Sequence, residues 1–319
     1  MNRKKNNVFI TDYIDNPRIE KEILGDHLCL NPNKKIEYLL VWHKKINKKV
    51  LNDFPNLKGI VRYGVGYDNI DLEVCKERNI AFCNTPDYGT DEVSNTTVSM
   101  IMDSSRKIFE YNQIAKNLNG SSWQENTIRN IRRNNELNVG IIGCGRIGSS
   151  VILKLNSLNF NTYFYDPYLN WGYEKIISSN RLYNVDDLLK KCDIVTIHCP
   201  LNKETDGMID STFLKKMKRG SILINTARGE IISDVDLIYS ELKKGNIYSV
   251  YLDVLPDEPP DLSKKLIKEW RSNSSLSHRI IINPHTAYYS QESFEEMRLK
   301  ASENILRMIN NEPLLYRII

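Results

Sequence analysis

Val139-Gly140-Ile141-Ile142-Gly143-Cys144-Gly145-Arg146-Ile147-Gly148-Ser149-Ser150 is the stretch that decides the fold of this chain. Val139, Ile141 and Ile142 form a short β-prone apolar run, and Gly143, Gly145 and Gly148 follow in G-x-G-x-x-G spacing. Val151, Ile152 and Leu155 then recur at helical intervals, so the context is strand, tight turn, helix. That context gives weight to a pattern that is weak alone. Gly143 permits the turn, Gly145 lets backbone approach a pyrophosphate, and Gly148 lets the helix pack close to the sheet. The N–H groups of the first helical turn, around Arg146 and Ile147, are then available to phosphates. A second strand, 162–165, ends at Asp166, 18 residues past Gly148. A carboxylate there accepts hydrogen bonds from the adenosine ribose hydroxyls and repels a 2′-phosphate, which favours NAD over NADP.

The chain has 319 residues, too long for one ordinary core, so two domains are expected. With 41% hydrophobic and 26% charged residues, its composition is that of a globular protein. A formal charge of +4 is small beside 44 basic and 40 acidic side chains and gives no case for nucleic acid. The opening Met-Asn-Arg-Lys-Lys-Asn-Asn is basic, but the apolar run after it is too short for a signal peptide. No apolar stretch approaches the ~18 residues that span a membrane. The six cysteines (Cys29, Cys75, Cys83, Cys144, Cys192 and Cys199) lack C-x-x-C spacing. They read as reduced thiols of a cytoplasmic protein, with no metal site expected.

In chain order, strands are expected at 8–11, 38–41, 57–61 and 80–83, with a short helix at 72–78. This is a small parallel-sheet domain preceding the dinucleotide unit. The acidic pair Asp91 and Glu92 opens a long helix that runs through Val93, Val98, Ile101 and Ile108. Residues 117–137, with Gly120, Ser121 and Ser122, read as a polar surface excursion or dimer arm. Beyond Asp166, helices are expected at 185–189, 213–217 and 235–242, and strands at 194–197, 221–224, 249–252 and 280–282. Each strand delivers polar residues at its carboxyl end, where open α/β sheets bind ligands. The amphipathic helix 293–309 is expected to return to the first domain.

The strand ends 62–71, 143–148, 225–229, 252–259 and 284–290 together resemble the D-isomer-specific 2-hydroxyacid dehydrogenases. The Val-Arg-x-Gly-x-Gly-x-Asp-Asn-Ile-Asp stretch and the tail from His285 through Glu296-Met297-Arg298 look most like the phosphoglycerate-dehydrogenase-like branch. That branch includes bacterial relatives of the C-terminal-binding-protein corepressors, which the segment from Trp270-Arg271 to Asn283-Pro284-His285 also resembles. The resemblance spans nearly the whole chain. It implies an α/β protein in which a Rossmann-type doubly wound parallel sheet, the NAD domain, is inserted in a smaller flavodoxin-like α/β substrate domain. The substrate domain is expected over 1–107 plus 287–319 and the NAD domain over 108–286. An active cleft between the domains and a homodimer through the cofactor domains are further implications. The chain stops soon after its last helix, so no appended regulatory domain is expected.

The same resemblance assigns chemistry residue by residue. His285 matches the acid/base that protonates a carbonyl oxygen as hydride arrives, a task suited to imidazole. Glu258 matches its paired carboxylate, although Asp257 could serve if the loop shifted by one. Arg228 matches the group that holds the substrate carboxylate and polarises the carbonyl, using a fork of donors that lysine lacks. Tyr63 and the backbone of Gly64, Val65 and Gly66 match the loop that also binds this carboxylate. Arg62 and Tyr288 match substrate-facing positions. A second cation at Arg62 favours a substrate with an added phosphate, phosphonate or second carboxylate. Asp253 resembles the aspartate near the nicotinamide carboxamide, and Cys199, Pro200, Thr205, Thr226 and Ala227 resemble positions that line the cofactor beside Arg228 and His285. His198 is expected to be structural. Val93-Ser94-Asn95 departs from common members, which carry a small residue and an acid at the second and third positions.

The expected activity is NAD-dependent, reversible hydride transfer between NADH and a small 2-keto acid. The alternative is an NAD(H)-sensing, corepressor-like scaffold without physiological turnover. Formate dehydrogenase shares the fold but resembles a site with Gln where Glu258 stands.

Overall fold

The computed structural model describes residues 6–117, 123–125, 127–272 and 274–319. The basic residues 1–5 lie outside it, as do Gly120, Ser121 and Ser122 of the expected excursion. The chain forms two compact units, unit 1 from Met1–Gly89 with Tyr289–Ile319 and unit 2 from Thr90–Tyr288.

Unit 1 is built on β1 (Val8–Ile10), β2 (Leu28–Cys29), β3 (Tyr38–Val41), β4 (Gly59–Arg62) and β5 (Ala81–Cys83), in the order β2-β1-β3-β4-β5. All pairs are parallel, with Val8 opposite Tyr38, Tyr38 opposite Gly59 and Gly59 opposite Ala81. This is the flavodoxin-like order. β3 reads Tyr-Leu-Leu-Val without alternation because both its faces are covered, and all four residues are buried. The final helix, Gln291–Asn310, belongs to this unit and buries Met297, Ala301, Ile305 and Met308, a stripe spaced four, four and three residues apart. Burial contributes about 1.5–3 kcal/mol for a methionine or isoleucine side chain such as Met297 or Ile305. A capping box starts the helix: Ser290 accepts from the Ser293 N–H, and the Ser293 hydroxyl accepts from the Ser290 N–H, both at 2.9 Å. The last residues shield the edge of β5, where Phe82 donates to Ile319 O and accepts from Ile318 N.

Unit 2 carries β6 (Asn138–Ile142), β7 (Asn161–Tyr165), β8 (Asn180–Arg181), β9 (Ile194–Ile197), β10 (Ser221–Asn225), β11 (Ile247–Leu252) and β12 (Ile280–Ile282). Their order is β12-β11-β10-β9-β6-β7-β8, again all parallel. The strand order reverses between β6 and β9, the doubly wound arrangement whose switch point lies at the glycine turn. The helix expected from Asp91 through Ile108 is two helices, Thr90–Arg106 and Ile108–Lys116, both in unit 2. Lys107 breaks it with a left-handed φ of 57°, and its ammonium lies 3.7 Å from the Tyr248 ring centroid. Burial pulls the Lys107 pKa down to about 8 against the opposing charges of Glu110 and Asp103. No glycine or proline announces this break.

One buried cluster ties the ends of unit 1 together. Glu20 is fully buried and receives Arg298 Nε at 2.8 Å and Nη2 at 2.6 Å, together with the Tyr63 hydroxyl at 3.0 Å. Burial is the main cause that raises the Tyr63 phenol well above its ordinary range. An uncompensated charge at such a site costs far more than the pair gains. Arg298→Ala should therefore lower the unfolding free energy by about 3–5 kcal/mol, read from urea denaturation. A loss of under about 1 kcal/mol would show that the pair is solvated.

Candidate functional site

The glycine turn joins β6 to the helix Arg146–Ser157. Gly143 has φ +87°, and a Cβ there would lie 2.5 Å from the Cys199 backbone nitrogen, so only glycine fits this crossing of two strand ends. A Cβ on Gly148 would overlap Gly143 O, which accounts for the close approach of helix to strand. Gly145, the helix N-cap, has nothing within 4 Å of its would-be Cβ and supplies no side-chain cap. The first-turn N–H groups of Arg146, Ile147 and Gly148 have no capping side chain, and nothing crowds Gly145 ahead of them, a cradle suited to a pyrophosphate. Asp166 is bound to this turn: its Oδ2 accepts from Cys144 N at 2.9 Å and its Oδ1 from Tyr168 N at 3.0 Å. Each oxygen keeps a further lone pair for ribose hydroxyls. The open cradle and the carboxylate beside it fit NAD. Among the described residues, no group of His, Cys, Asp and Glu is arranged to hold a metal ion.

The loops after β9 and β10 stand next to this turn. Cys199 presses its backbone on Gly143, and burial pushes its thiol pKa up to about 11. Pro200 accepts from the Thr205 hydroxyl at 2.6 Å, closing the turn that follows β9. His198 bonds Thr196 through Nε2 at 2.9 Å, and burial pulls its pKa down to about 3, so it stays neutral and is no acid/base. After β10, the Asn225 side chain accepts from Ala227 N and donates to Arg228 O, shaping the loop 225–228. Sequence reading missed this role, although a strand-end Asn before a tight loop is a recognised turn signal. Thr226 is buried with its hydroxyl 3.0 Å from that of Thr97, so its side chain is committed inside the unit. Arg228 places Nη1 on Ala227 O at 2.8 Å, and Gly229 passes so near the Leu255 backbone that a Cβ would overlap it.

The loops after β11 and β12 bring Glu258 to His285. Glu258 Oε2 lies 2.8 Å from His285 Nδ1, and Oε1 accepts from Leu255 N at 3.0 Å. Burial raises the Glu258 pKa, but the His285 bond, the Leu255 N–H and the charges of His285 and Arg228 outweigh it and hold the carboxyl below its ordinary range. An ionised Glu258 can only accept, so Nδ1 carries a proton and Nε2 remains for an outside group. The His285 side chain is 36% exposed, so the ring is not sealed inside the unit. Asp257 makes no such pairing; Glu258 does. Tyr288 sets its ring 6.5 Å from the imidazole at 81°, edge to face.

Asp253 turns out to hold this loop. Its buried carboxylate accepts from Thr286 N at 3.1 Å and from Ala287 N at 3.1 and 3.0 Å, while its carbonyl takes His285 N at 2.8 Å. These bonds fix His285 in a left-handed conformation, φ +55°. Desolvation wins over the two N–H donors here, and the Asp253 pKa is raised.

In unit 1 the turn after β4 is equally constrained. Gly64, with φ +130°, sits under the Arg62 guanidinium and donates to the Thr85 hydroxyl at 2.5 Å, and Asn84 Nδ2 donates to Val65 O at 2.7 Å. Val65 and Gly66 lie at the surface of this turn, whereas the Tyr63 side chain is fully buried on Glu20. The side chain of Tyr63 is therefore an internal strut of unit 1 that cannot meet a ligand; only its backbone belongs to the loop. His43 and Lys44 give their N–H groups to Asp12 at 2.9 Å, alongside Trp42 at 2.8 Å.

A family model described as D-isomer specific 2-hydroxyacid dehydrogenase, NAD binding domain, matches residues 98–287. A glyoxylate reductase of Thermofilum pendens is 32% identical over 290 residues, which is 90% of this chain and 82% of that protein. C-terminal-binding protein 1 of Caenorhabditis elegans is 29% identical over 284 residues; the match takes in 87% of this chain and 38% of that relative's length. Among solved structures, a D-lactate dehydrogenase from Aquifex aeolicus complexed with NAD and lactic acid has a TM-score of 0.84 at 28% identity, with 96% of each chain covered.

The neutral His198 makes stability depend on pH with a defined sign. Its folded value of about 3 lies below the ~6.5 of an exposed imidazole, so the unfolded chain takes up a proton that the folded chain refuses. Its contribution is complete above about pH 6.5 and is lost as the pH falls toward 3. Urea midpoints across this window should fall less steeply for His198→Gln than for the parent. An unchanged slope would contradict the assignment.

Proposed function

The chain belongs to the D-isomer specific 2-hydroxyacid dehydrogenases, NAD-dependent oxidoreductases acting on a CH–OH group, and from that premise we propose that it interconverts a small 2-keto acid and its D-2-hydroxy acid. The observation that carries this reading is the Glu258–His285 pair at 2.8 Å on a loop clamped by Asp253. The glycine turn and Asp166 would hold NADH, whose chemistry there would be hydride donation to the carbonyl carbon. His285 delivers the proton to the carbonyl oxygen from Nε2 and recovers one in the reverse direction, and Glu258 keeps Nδ1 protonated and the ring in register. Arg228 takes the substrate carboxylate and polarises the carbonyl. The family resemblance gives carboxylate binding also to the backbone of Gly64, Val65 and Gly66, and a substrate-facing place to Tyr288. Arg62 adds a second cation, so the preferred substrate carries an extra phosphate, phosphonate or carboxylate.

The corepressor-like scaffold is the less favoured reading: the glyoxylate reductase is matched over 82% of its length, the C-terminal-binding protein over only 38%. A homodimer through unit 2 accompanies the proposal; Ile108 and Trp123 of that unit are 60% and 67% exposed. A cytoplasmic setting suits six cysteines that are all free thiols. Among the described residues, no helix is long and apolar enough to cross a membrane.

The test is NADH oxidation across a panel of 2-keto acids that includes phosphorylated, phosphonylated and dicarboxylic members, with NADPH as a control. Turnover should prefer NADH, and His285→Ala should lower kcat by about 10²–10⁴. Arg228→Lys should mainly raise KM for the keto acid. If no keto acid turns over while NADH binds, the dehydrogenase reading is wrong. If anionic members are no better than plain ones, the role given to Arg62 is wrong.

A further inference from the structure

β8 is two residues long and lies at the sheet edge, yet it carries an arginine whose side chain is only 8% exposed. Burying an arginine is costly unless its donors are taken. Arg181 Nη2 donates to Asp166 O at 2.9 Å and to Leu169 O at 2.8 Å, and Nη1 donates to Asn170 O at 3.1 Å. The guanidinium carbon lies 5.9 Å from the Phe164 ring and 5.5 Å from the Tyr183 ring, and Glu174 Oε2 is 4.0 Å from Nη1. Three carbonyls of one short loop thus converge on a planar fork, which the tetrahedral donors of a lysine would not match.

That loop begins at Asp166. Its side chain is held by the Cys144 and Tyr168 N–H groups and its main chain by Arg181. An arginine beside the aspartate that ends the second Rossmann strand would ordinarily suggest a receptor for the 2′-phosphate of NADP. Here its donors face main-chain carbonyls. We propose that Arg181 is a positioning residue: it fixes the 166–170 loop and acts through Asp166 to select NAD over NADP. This inference rests on the dinucleotide-binding reading given above. Without the fork, the loop carbonyls turn to water and Asp166 loses its fixed place. Both the hydrogen bonds offered to the ribose and the repulsion of a 2′-phosphate then weaken.

The experiment titrates the full chain with NADH and with NADPH, following nicotinamide fluorescence for Kd. It compares the parent, Arg181→Met, Arg181→Lys, Asp166→Ala and the Arg181→Met/Asp166→Ala double variant, with a thermal melt of each. Arg181→Met should weaken NADH binding about tenfold and NADPH binding less than about threefold, and Arg181→Lys should fail to restore the selectivity. In the Asp166→Ala background, removing Arg181 should leave the NADH/NADPH ratio unchanged, because the two residues act as one unit. Equal weakening of both nucleotides, or additive losses in the double variant, would overturn the positioning role while leaving the dinucleotide reading intact. A parent protein that binds neither nucleotide would overturn both. Should Arg181→Met fail to fold, Arg181→Lys decides alone, and parental selectivity in it overturns the proposal.

Discussion

A parallel sheet sends every strand in the same direction, so each unit has one edge from which all carboxyl-end loops leave. In unit 2 that edge gathers the glycine turn after β6, Asp166 after β7, the 198–201 loop after β9, Arg228 after β10, Glu258 after β11 and His285 after β12. Residues far apart along the chain, such as Gly143 and Cys199, become neighbours because register and direction leave them no other place. Cys199 resting on Gly143, and Leu255 resting on Gly229, are direct consequences.

The loops on these edges share a device. Asp12 after β1, Asp166 after β7 and Asp253 after β11 each turn a carboxylate onto N–H groups of a neighbouring loop, Asp166 also onto Tyr168 N of its own loop. Backbone donors that no strand can satisfy are thereby paired, and the loops are held in shape before any ligand arrives. The balance of burial against donors differs between the sites. Asp12 is partly exposed, and although burial raises its pKa, the Thr11 hydroxyl and three N–H donors bring it below its ordinary range. Asp253 is 1% exposed, and there burial prevails. The residue that positions His285 is thus more deeply desolvated than the residue that shapes the 42–44 loop.

The strands of unit 2 were legible because buried parallel strands are continuous apolar runs: 194–197 and 280–282 were expected at the residues where they occur. β2 and β8 were not, since two-residue edge strands such as Asn180–Arg181 carry no hydrophobic period. The helix Lys265–Trp270 was missed for a similar reason; its six residues are too few to show amphipathic spacing. The glycine spacing and Asp166 were readable as a local pattern. His285, Glu258 and Arg228 were legible only through family resemblance, because nothing local marks a pair 27 residues apart. Contacts such as Glu20 with Arg298, separated by 278 positions, lie beyond any reading of neighbours along the chain, and so did the commitment of Tyr63 to the interior. The clamp of Asp253 on 286–287 escaped notice because an acidic strand end looks the same whether it serves a ligand or a loop.

The account turns on one oriented proton donor working beside one bound dinucleotide, and the configuration of the product tests this most directly. The protein would be incubated with NADH and the best 2-keto acid, and the 2-hydroxy acid resolved by chiral chromatography. The account predicts the D-isomer as the product, formed one for one with NADH consumed. An L-product, a racemate, or NADH consumed without any hydroxy acid would contradict it.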